Sequence, residues 1–208
     1  MATQESLYIG AILHLNNAET ESVRDETDAR YWLGKVYTDA LTYCLRQGFW
    51  NFAMRAIQMD SDVTPSFGYS FGFNKPADWD RTYVVSDNEN FDPPLTDYQD
   101  QSAVWLAWVD PLYVRYVSTT KGLNPALFTA DYAEYVSAYL ASKVYKKVTG
   151  ACEDAHAAFN RLVLKKALAT AKGNDAIDQA PGRYPRGAWA SSRGGWGNER
   201  GKRGALIG

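Results

Sequence analysis

The sequence contains few of the residues on which most enzyme and metal chemistry depends. It has two cysteines and two histidines among 208 residues. Cys44 and Cys152 each lie within a predicted helix, and two cysteines so placed form neither a disulfide framework nor a zinc site. His14 and His156 stand outside metal-binding patterns such as His-Glu-x-x-His. We therefore expect no catalytic residue, no bound metal and no cofactor.

Long hydrophobic runs are missing as well. A charged residue interrupts every apolar stretch before it reaches the roughly 20 residues that span a bilayer, so we expect no membrane insertion. Residues 1–15 have no basic leader and no small-residue cleavage pattern, which favours synthesis and retention in a cytoplasm. There is no Walker A loop, no GxSxG motif and no GxGxxG after a predicted strand.

Charge is nearly balanced overall but unevenly distributed. The chain has 22 Lys and Arg against 24 Asp and Glu, yet residues 181–208 contain six basic residues and one acid. The same segment holds half of the sixteen glycines. The protein therefore consists of an acidic body and a basic, glycine-rich C-terminal segment.

Aromatic residues are plentiful, at 14% of the chain with seven Trp and fourteen Tyr. Trp and Tyr combine a large apolar area with a polar tip and are enriched at protein interfaces. From residue 67 to residue 73 every second residue is aromatic, which predicts a strand with one aromatic face and one face of Gly and Ser. Another backbone or subunit can approach such a bare face closely. The aromatic face consists of Phe67, Tyr69, Phe71 and Phe73.

Four helices are predicted from apolar residues that recur on one face. Ser22 with Asp25 resembles a capping box at the start of the second helix, and Gly48 can close it. Gly150 and Gly173 are predicted to end the third and fourth helices, which should pack as an antiparallel hairpin. The helices cover residues 3–15, the stretch from Ser22 to Gly48, residues 129–149 and residues 151–172.

A small β unit is predicted between the second and third helices. Its last two strands are joined through Asp110-Pro111, a turn signal that predicts a hairpin, and residues 91–102 resemble an exposed loop. The predicted strands are 67–73, 81–86, 103–109 and 112–118.

The predicted fold class is mainly α. Residues 1–59 and 120–175 would form a four-helix bundle, and residues 60–119 would form the inserted β unit. Residues 176–208 would be an extended Gly/Arg/Trp-rich arm.

Two features leave chemical alternatives open. Carboxylates cluster in the β unit, and a carboxylate pair could hydrolyse glycosidic bonds, although acidic loops are more often solvated turns. In the C-terminal segment, Arg and Lys alternate with Tyr184, Trp189 and Trp196. Such a segment could follow a nucleic acid backbone or run along a partner protein. The clustered carboxylates are Asp78, Asp80, Asp87, Glu89, Asp92, Asp97 and Asp100.

Several segments of the sequence are informative when they are considered together, in their order along the chain. They are residues 7–13, 44–53, 67–73, 76–79 and 114–117, then Phe128, Leu140-Ala141 and residues 189–193. In this order they resemble the head-to-tail adaptor (connector) proteins of tailed bacteriophages, the tail tubular protein A-like family. Residues 119–124 and those after Arg193 lie outside the resemblance.

The resemblance implies a structural virion protein at the head–tail junction rather than an enzyme. Its copies, usually twelve, would form a ring between the portal protein and the downstream tail or nozzle protein. The ring would extend the DNA channel and take part in tail assembly, genome retention and ejection. The chain would be synthesised in the host bacterial cytoplasm.

The resemblance also implies partner contacts. Portal binding is expected of Arg183, Arg186, Trp189 and Arg193, and inter-subunit or tail-facing contacts are expected of Phe67, Tyr69, Phe71 and Phe73. An acidic body suits a channel wall past which double-stranded DNA moves without sequence-specific binding. Two other functions stay open: a peptidoglycan-degrading virion hydrolase, and a nucleic-acid-binding module that acts through the basic tail.

Overall fold

The structure, a computed structural model, describes residues 1–16 and 26–178. Residues Met1–Ala176 form one compact unit, and of the second unit, Ile177–Gly208, only the first two residues are described. The helices are α1 (Gln4–Asn16), α2 (Glu26–Leu45), the single turn α3 (Thr119–Gly122), α4 (Ala130–Thr149), α5 (Glu153–Phe159) and α6 (Lys165–Asp178). The strands are β1 (Met54–Met59), β2 (Phe71–Asn74), β3 (Trp79–Ser86), β4 (Tyr98–Asp100), β5 (Val104–Ala107) and β6 (Leu112–Ser118).

Helix α4 is the centre of the helical part. Most of its length is buried, and both α1 and α2 pack against it. The hydroxyl of Thr129 accepts a hydrogen bond from the backbone N–H of Tyr132 at the start of α4, and Gly150 adopts a left-handed conformation at its end. A π-helical segment, Asn160–Leu164, joins α5 to α6. One hydrophobic cluster, centred on Trp50, Tyr132 and Tyr135, fills the space between these helices.

The strands form two antiparallel three-stranded sheets. Sheet A has the order β1-β6-β3, and sheet B has the order β2-β5-β4. In sheet B, Trp105 is paired with Phe73 on one side and Asp100 on the other. A second hydrophobic cluster contains side chains from both sheets, so the sheets share a core that is separate from the helical one. Its buried members are Phe73, Val85, Trp105, Ala107, Leu112, Val114 and Tyr116.

The predicted fold class, a mainly α four-helix bundle with a small β insertion, is wrong. The chain has a mixed α/β fold in which 52% of the described residues are helical and 20% are in strands. The reason is the second hydrophobic core: six strands bury their own apolar side chains against one another instead of extending from a bundle. β1, which was not predicted, supplies an edge of sheet A from within the segment assigned to the bundle.

The predicted hairpin through Asp110-Pro111 is also wrong. β5 pairs with β2 and β4, whereas β6 pairs with β1 and β3, so the chain passes from sheet B to sheet A at this point. The Asp110–Pro111 peptide bond is cis. Strand 67–73 begins only at Phe71, and strand β4 lies within the stretch 91–102 that was predicted as a loop.

Helix ends differ in part from the predicted ones. α1 and α4 match the predicted bounds closely, and α2 ends at Leu45, three residues before Gly48. Gly173 lies inside α6, so it does not end that helix. Ser22 and Asp25 lie outside the described residues.

Candidate interaction surface

The four aromatic residues singled out from the sequence divide into a buried pair and a pair nearer the surface. Phe73 is fully buried and Phe71 packs partly against the sheet core. Phe67 is 88% exposed. Tyr69 is half-buried, and its ring lies 5.1 Å from that of Trp108. Only the first half of the predicted aromatic face is therefore available to a partner.

Two glycines explain why the alternating pattern divides at this point. Gly68 has a φ of 85°, a left-handed conformation that interrupts the predicted strand before β2 begins at Phe71. Gly72 and Val63 exchange backbone hydrogen bonds of 3.0 and 3.1 Å. A Cβ at residue 72 would lie 2.9 Å from the Val63 carbonyl oxygen. The bare face of this strand is thus occupied by the chain's own backbone.

Sheet B has two faces of different character. Phe73, Trp105 and Asp100 form one row across the sheet, on the side of the hydrophobic core. The neighbouring row, Gly72, Leu106 and Gln99, therefore lies on the opposite, outer face. On that face Val63 lies against Gly72, Leu106 is buried and Gln99 is exposed.

A groove of about 370 Å³ lies on this outer face, which we call the sheet B groove. β4 and β5 contribute polar and apolar residues to it, and the segment 63–69 contributes aromatic ones. Its lining comprises Val63, Thr64, Pro65, Ser66, Phe67, Gly68, Tyr69, Gln99, Gln101, Val104 and Leu106. An apolar floor with exposed aromatic residues beside it is the composition expected of a contact site for another chain.

Tyr69 is held in place beside this groove by a carboxylate. Its hydroxyl donates to Asp97 Oδ1 at 3.1 Å. Burial, and then the neighbouring Asp97 charge, raises the pKa of Tyr69 above its usual value. The hydroxyl therefore stays protonated at neutral pH and continues to donate this hydrogen bond.

Trp108 belongs to the same surface, although it was not among the residues predicted to contact a partner. Its side chain is 50% exposed and contacts Tyr69. The residue follows β5, in which Trp105 and Ala107 are fully buried. Side chains alternate between the two faces of a strand, so Trp108 is expected on the face opposite Trp105 and Ala107. This alternation could have predicted from the sequence that Trp108 is exposed.

Beneath the groove, a polar network joins the two sheets. Thr82 Oγ1 donates to Asp100 Oδ2 at 2.6 Å and accepts from Trp105 Nε1 at 2.9 Å and Trp79 Nε1 at 3.2 Å. Lys75 binds the other oxygen of Asp100, and its ammonium lies 3.6 Å from the centre of the Trp79 ring. The Lys75 side chain is only 4% exposed. These contacts connect sheet B, and with it the groove, to sheet A.

Three of the carboxylates considered for hydrolysis bind other segments of the chain. Asp78 accepts from Tyr116 at 2.8 Å and from Ser118 at 2.5 Å. Asp80 forms an ion pair with Arg46 at 2.9 Å. Both side chains are largely buried. In these two residues and in Asp100, the structure shows carboxylates that connect segments of the fold.

His156 lies in a polar cluster with Ser142 and Asn160 where α4 meets the π-helical segment. Its Nε2 is 3.0 Å from the Ser142 carbonyl oxygen and 3.2 Å from the side-chain nitrogen of Asn160. The Ser142 hydroxyl lies 3.3 Å from the same ring nitrogen and donates to Asn160 Oδ1 at 2.5 Å. The cluster ties two helical segments together.

The remaining histidine and cysteine residues are separate from one another. His14 is 3.0 Å from Glu134, and burial raises the pKa of Cys44 to about 12. Within residues 1–16 and 26–178, no three His, Cys, Asp or Glu side chains are arranged to hold a metal ion. No helix in the same part of the chain is both long enough and apolar enough to cross a membrane.

The proposed portal-binding residues Arg183, Arg186, Trp189 and Arg193 lie outside the described residues. Comparison with known proteins adds no assignment, because no protein-family model and no curated protein matches the sequence.

Proposed function

We propose that this chain is a structural virion protein, a head-to-tail adaptor whose copies form a ring between the portal and the tail of a bacteriophage. The proposal starts from the ordered resemblance of segments between residues 7 and 193 to such adaptors. The structural observation that supports it best is the surface formed by Phe67, Tyr69 and Trp108 beside the sheet B groove. A protein whose role is to join other proteins needs an exposed aromatic surface of this kind.

The assembly proposed is a ring of twelve copies with two further protein partners. The portal protein would bind the C-terminal segment through Arg183, Arg186, Trp189 and Arg193, since Arg and Trp are strong interface anchors. The downstream tail or nozzle protein would bind on the opposite side of the ring. The chain would be made in the host cytoplasm and would then reside at the head–tail junction of the virion.

The proposed role toward DNA follows from the charge of the segment that contains the six strands. This segment, residues 54–118, has ten Asp and Glu against four Lys and Arg. A surface of this sign repels the phosphate backbone, so duplex DNA could pass along it without being held. The ring would thereby extend the DNA channel and contribute to genome retention and ejection.

The experiment that tests this function combines the purified full-length protein with purified portal rings. We expect a stoichiometric complex in analytical ultracentrifugation and a ring added to one face of the portal in electron micrographs. Arg186→Ala and Trp189→Ala should weaken the complex. Arg161→Ala, at an exposed arginine in the π-helical segment, is the matched control and should leave it unchanged.

Failure of the full-length protein to associate with portal rings would contradict the proposal. Steeply salt-dependent DNA binding that is lost with the basic residues of the C-terminal segment would also count against it. That result would favour a nucleic-acid-binding module instead.

A further inference from the structure

The sheet B groove has the features of a site for an extended peptide with a large aromatic side chain. Val104 and Leu106 supply an apolar floor, and Gln99 and Gln101 supply amide groups that can hydrogen-bond to a peptide backbone. Phe67 lies at its margin with 88% of its surface exposed. Burial of this ring by a partner would remove a large apolar area from water.

Carboxylates near the groove favour a basic occupant. The lining residues are uncharged, but Asp97 lies next to them, bonded to Tyr69, and the surrounding segment 54–118 is acidic. Aromatic rings such as Phe67 and Tyr69 also attract cationic side chains over their faces. A segment that carries Arg or Lys beside a Trp fits both properties.

The chain itself contains a segment of this composition at its C-terminal end. Residues 194–208 read Gly-Gly-Trp-Gly-Asn-Glu-Arg-Gly-Lys-Arg-Gly-Ala-Leu-Ile-Gly. Trp196 is flanked by Gly195 and Gly197, which permit a backbone to approach a sheet closely. Three basic residues follow within seven positions. This segment begins after Arg193 and is distinct from the residues proposed to bind the portal.

We propose that the sheet B groove of one copy binds the segment around Trp196 of a neighbouring copy. Trp196 would enter the groove against Val104 and Leu106, with Phe67 and Tyr69 beside its ring. The basic residues after it would face the acidic segment 54–118. The choice of a neighbouring copy rests on the proposed ring, in which every copy lies next to another and equivalent contacts repeat around the axis.

The chain is long enough for this contact. The segment from Asp178 to Trp196 spans up to about 60 Å when extended. A compact unit the size of Met1–Ala176 has an expected radius of gyration of about 16 Å and so a diameter of about 40 Å. An arm of this length can therefore reach across to an adjacent subunit.

Photo-crosslinking of the full-length protein tests the proposal. One preparation has Phe67 replaced by benzoylphenylalanine, and a second preparation, wild type and uniformly labelled with a heavy nitrogen isotope, is mixed with it. After assembly and irradiation, we expect mass spectrometry to find cross-links from position 67 to heavy peptides within residues 194–208. Because Phe67 is almost fully exposed, its replacement should not disturb the fold.

Two variants make the test specific. Trp196→Ala in the labelled copy should lower the cross-link yield about tenfold or more, as expected for a buried Trp anchor. Benzoylphenylalanine in place of Leu162, which is 64% exposed on the π-helical segment, is the control position and should give no cross-link to residues 194–208.

The outcomes separate this inference from the proposed function. Cross-links that contain only the light isotope would show contact within one chain and would overturn the inference. Rings that assemble on the portal without any cross-link from position 67 to residues 194–208 would overturn it too, while the adaptor function stands. Cross-links between copies in a protein that never binds portal would support the inference and contradict the adaptor function.

Discussion

At the scale of single residues, Arg81 occupies an unusual position at the end of α2. Its guanidinium donates to the carbonyl oxygens of Leu45 and Arg46 at 3.0 and 3.1 Å, and also to that of Gly48. The group lies 4.4 Å from the centre of the Phe49 ring. A cation at the C-terminal end of a helix satisfies carbonyls that have no partner within the helix and opposes the negative end of the helix dipole. A residue of β3 thus fixes the end of a helix.

We expect Arg81→Ala to lower the free energy of unfolding by about 2–4 kcal/mol, since it leaves three backbone carbonyls without their donor and Asp80 with Arg46 as its remaining cation. Arg30→Ala, which breaks an exposed ion pair with Glu5, should cost less than about 1 kcal/mol. Urea denaturation of both variants measures the difference. Equal losses in the two variants would show that Arg81 has no special role.

Asp78 is a second residue whose surroundings define its chemistry. Burial alone would raise its pKa, but hydrogen bonds from Ser118, Tyr116 and Arg55, together with the Arg55 charge, outweigh burial and hold the pKa below the usual value. Burial and the same hydrogen bond raise the pKa of Tyr116 to about 12, so the phenol remains a donor at neutral pH. The ionised carboxylate is therefore the form that the fold stabilises.

A lowered pKa in the folded state makes stability dependent on pH in one direction. The contribution of Asp78 is present above about pH 4 and is lost as the pH falls through the folded-state pKa. Asp78→Asn should be less stable than wild type by about 1–3 kcal/mol at pH 7, and the gap should narrow below about pH 4. Urea unfolding from pH 7 to pH 3 measures this gap, with the exposed Asp39→Asn as the control. A gap that stays constant over this range would contradict the assignment.

At the scale of elements, the helices were easier to predict than the strands. The bounds of α4 follow from signals that are next to it in the sequence, Thr129 before it and Gly150 after it. Strand pairing depends instead on residues far apart in the chain. The sequence 103–118 shows two strands and a turn signal, but only the sheet core decides that these strands belong to different sheets.

The candidate site, like the strands, could be predicted from the sequence only in part. The aromatic alternation led to Phe67 and Tyr69, which do lie at an exposed surface. It did not distinguish them from Phe71 and Phe73, because alternation identifies a face and does not reveal which part of that face another sheet covers. The groove itself arises from β4, β5 and a separate loop, and no local pattern indicates that these three meet.

Substitution by alanine is predicted to change the free energy of unfolding in opposite directions at Gly72 and Gly173. Gly72→Ala places a methyl group against the Val63 carbonyl and should lower the free energy of unfolding by about 1–3 kcal/mol. Gly173 lies inside α6 with nothing within 4 Å of an added Cβ. Gly173→Ala should therefore raise stability by about 0.5–1 kcal/mol through helix propensity. Thermal and urea unfolding compare the two, and a Gly72→Ala protein as stable as wild type would show that the backbone at Val63 can move aside.

The link between the two sheets is tested at Thr82. Thr82→Val keeps the shape of the side chain but removes the hydroxyl that contacts Asp100, Trp105 and Trp79. Buried donors then lose their partner, so we expect a loss of about 1–3 kcal/mol. Thr42→Val is the matched control, because its exposed hydroxyl bonds only to the backbone of its own helix. If the two substitutions cost the same in urea denaturation, the network does not hold the sheets together.

At the scale of the whole compact unit, Met1–Ala176, two hydrophobic cores are connected through one strand. Val114 and Tyr116 of β6 belong to the sheet core, while Val117 of the same strand belongs to the helical core. β1 lies beside β6 along this length, with Met54 against the helical core and Met59 against the sheet core. Because a continuous pair of strands belongs to both cores, neither core can lose its packing without disturbing the other.

The consequence is a single cooperative unfolding transition for this unit. Val114→Ala removes a fully buried side chain from the sheet core and Val117→Ala does the same in the helical core, each at a cost of about 2 kcal/mol. Fluorine NMR of 5-fluorotryptophan-labelled protein can follow Trp50 in one core and Trp105 in the other during urea unfolding. We expect either substitution to lower the midpoints of both probes equally, as two-state unfolding requires.

Leu162→Ala, at an exposed position, is the control and should change neither midpoint. If Val114→Ala shifts only the Trp105 transition, the two cores unfold independently and β6 does not couple them.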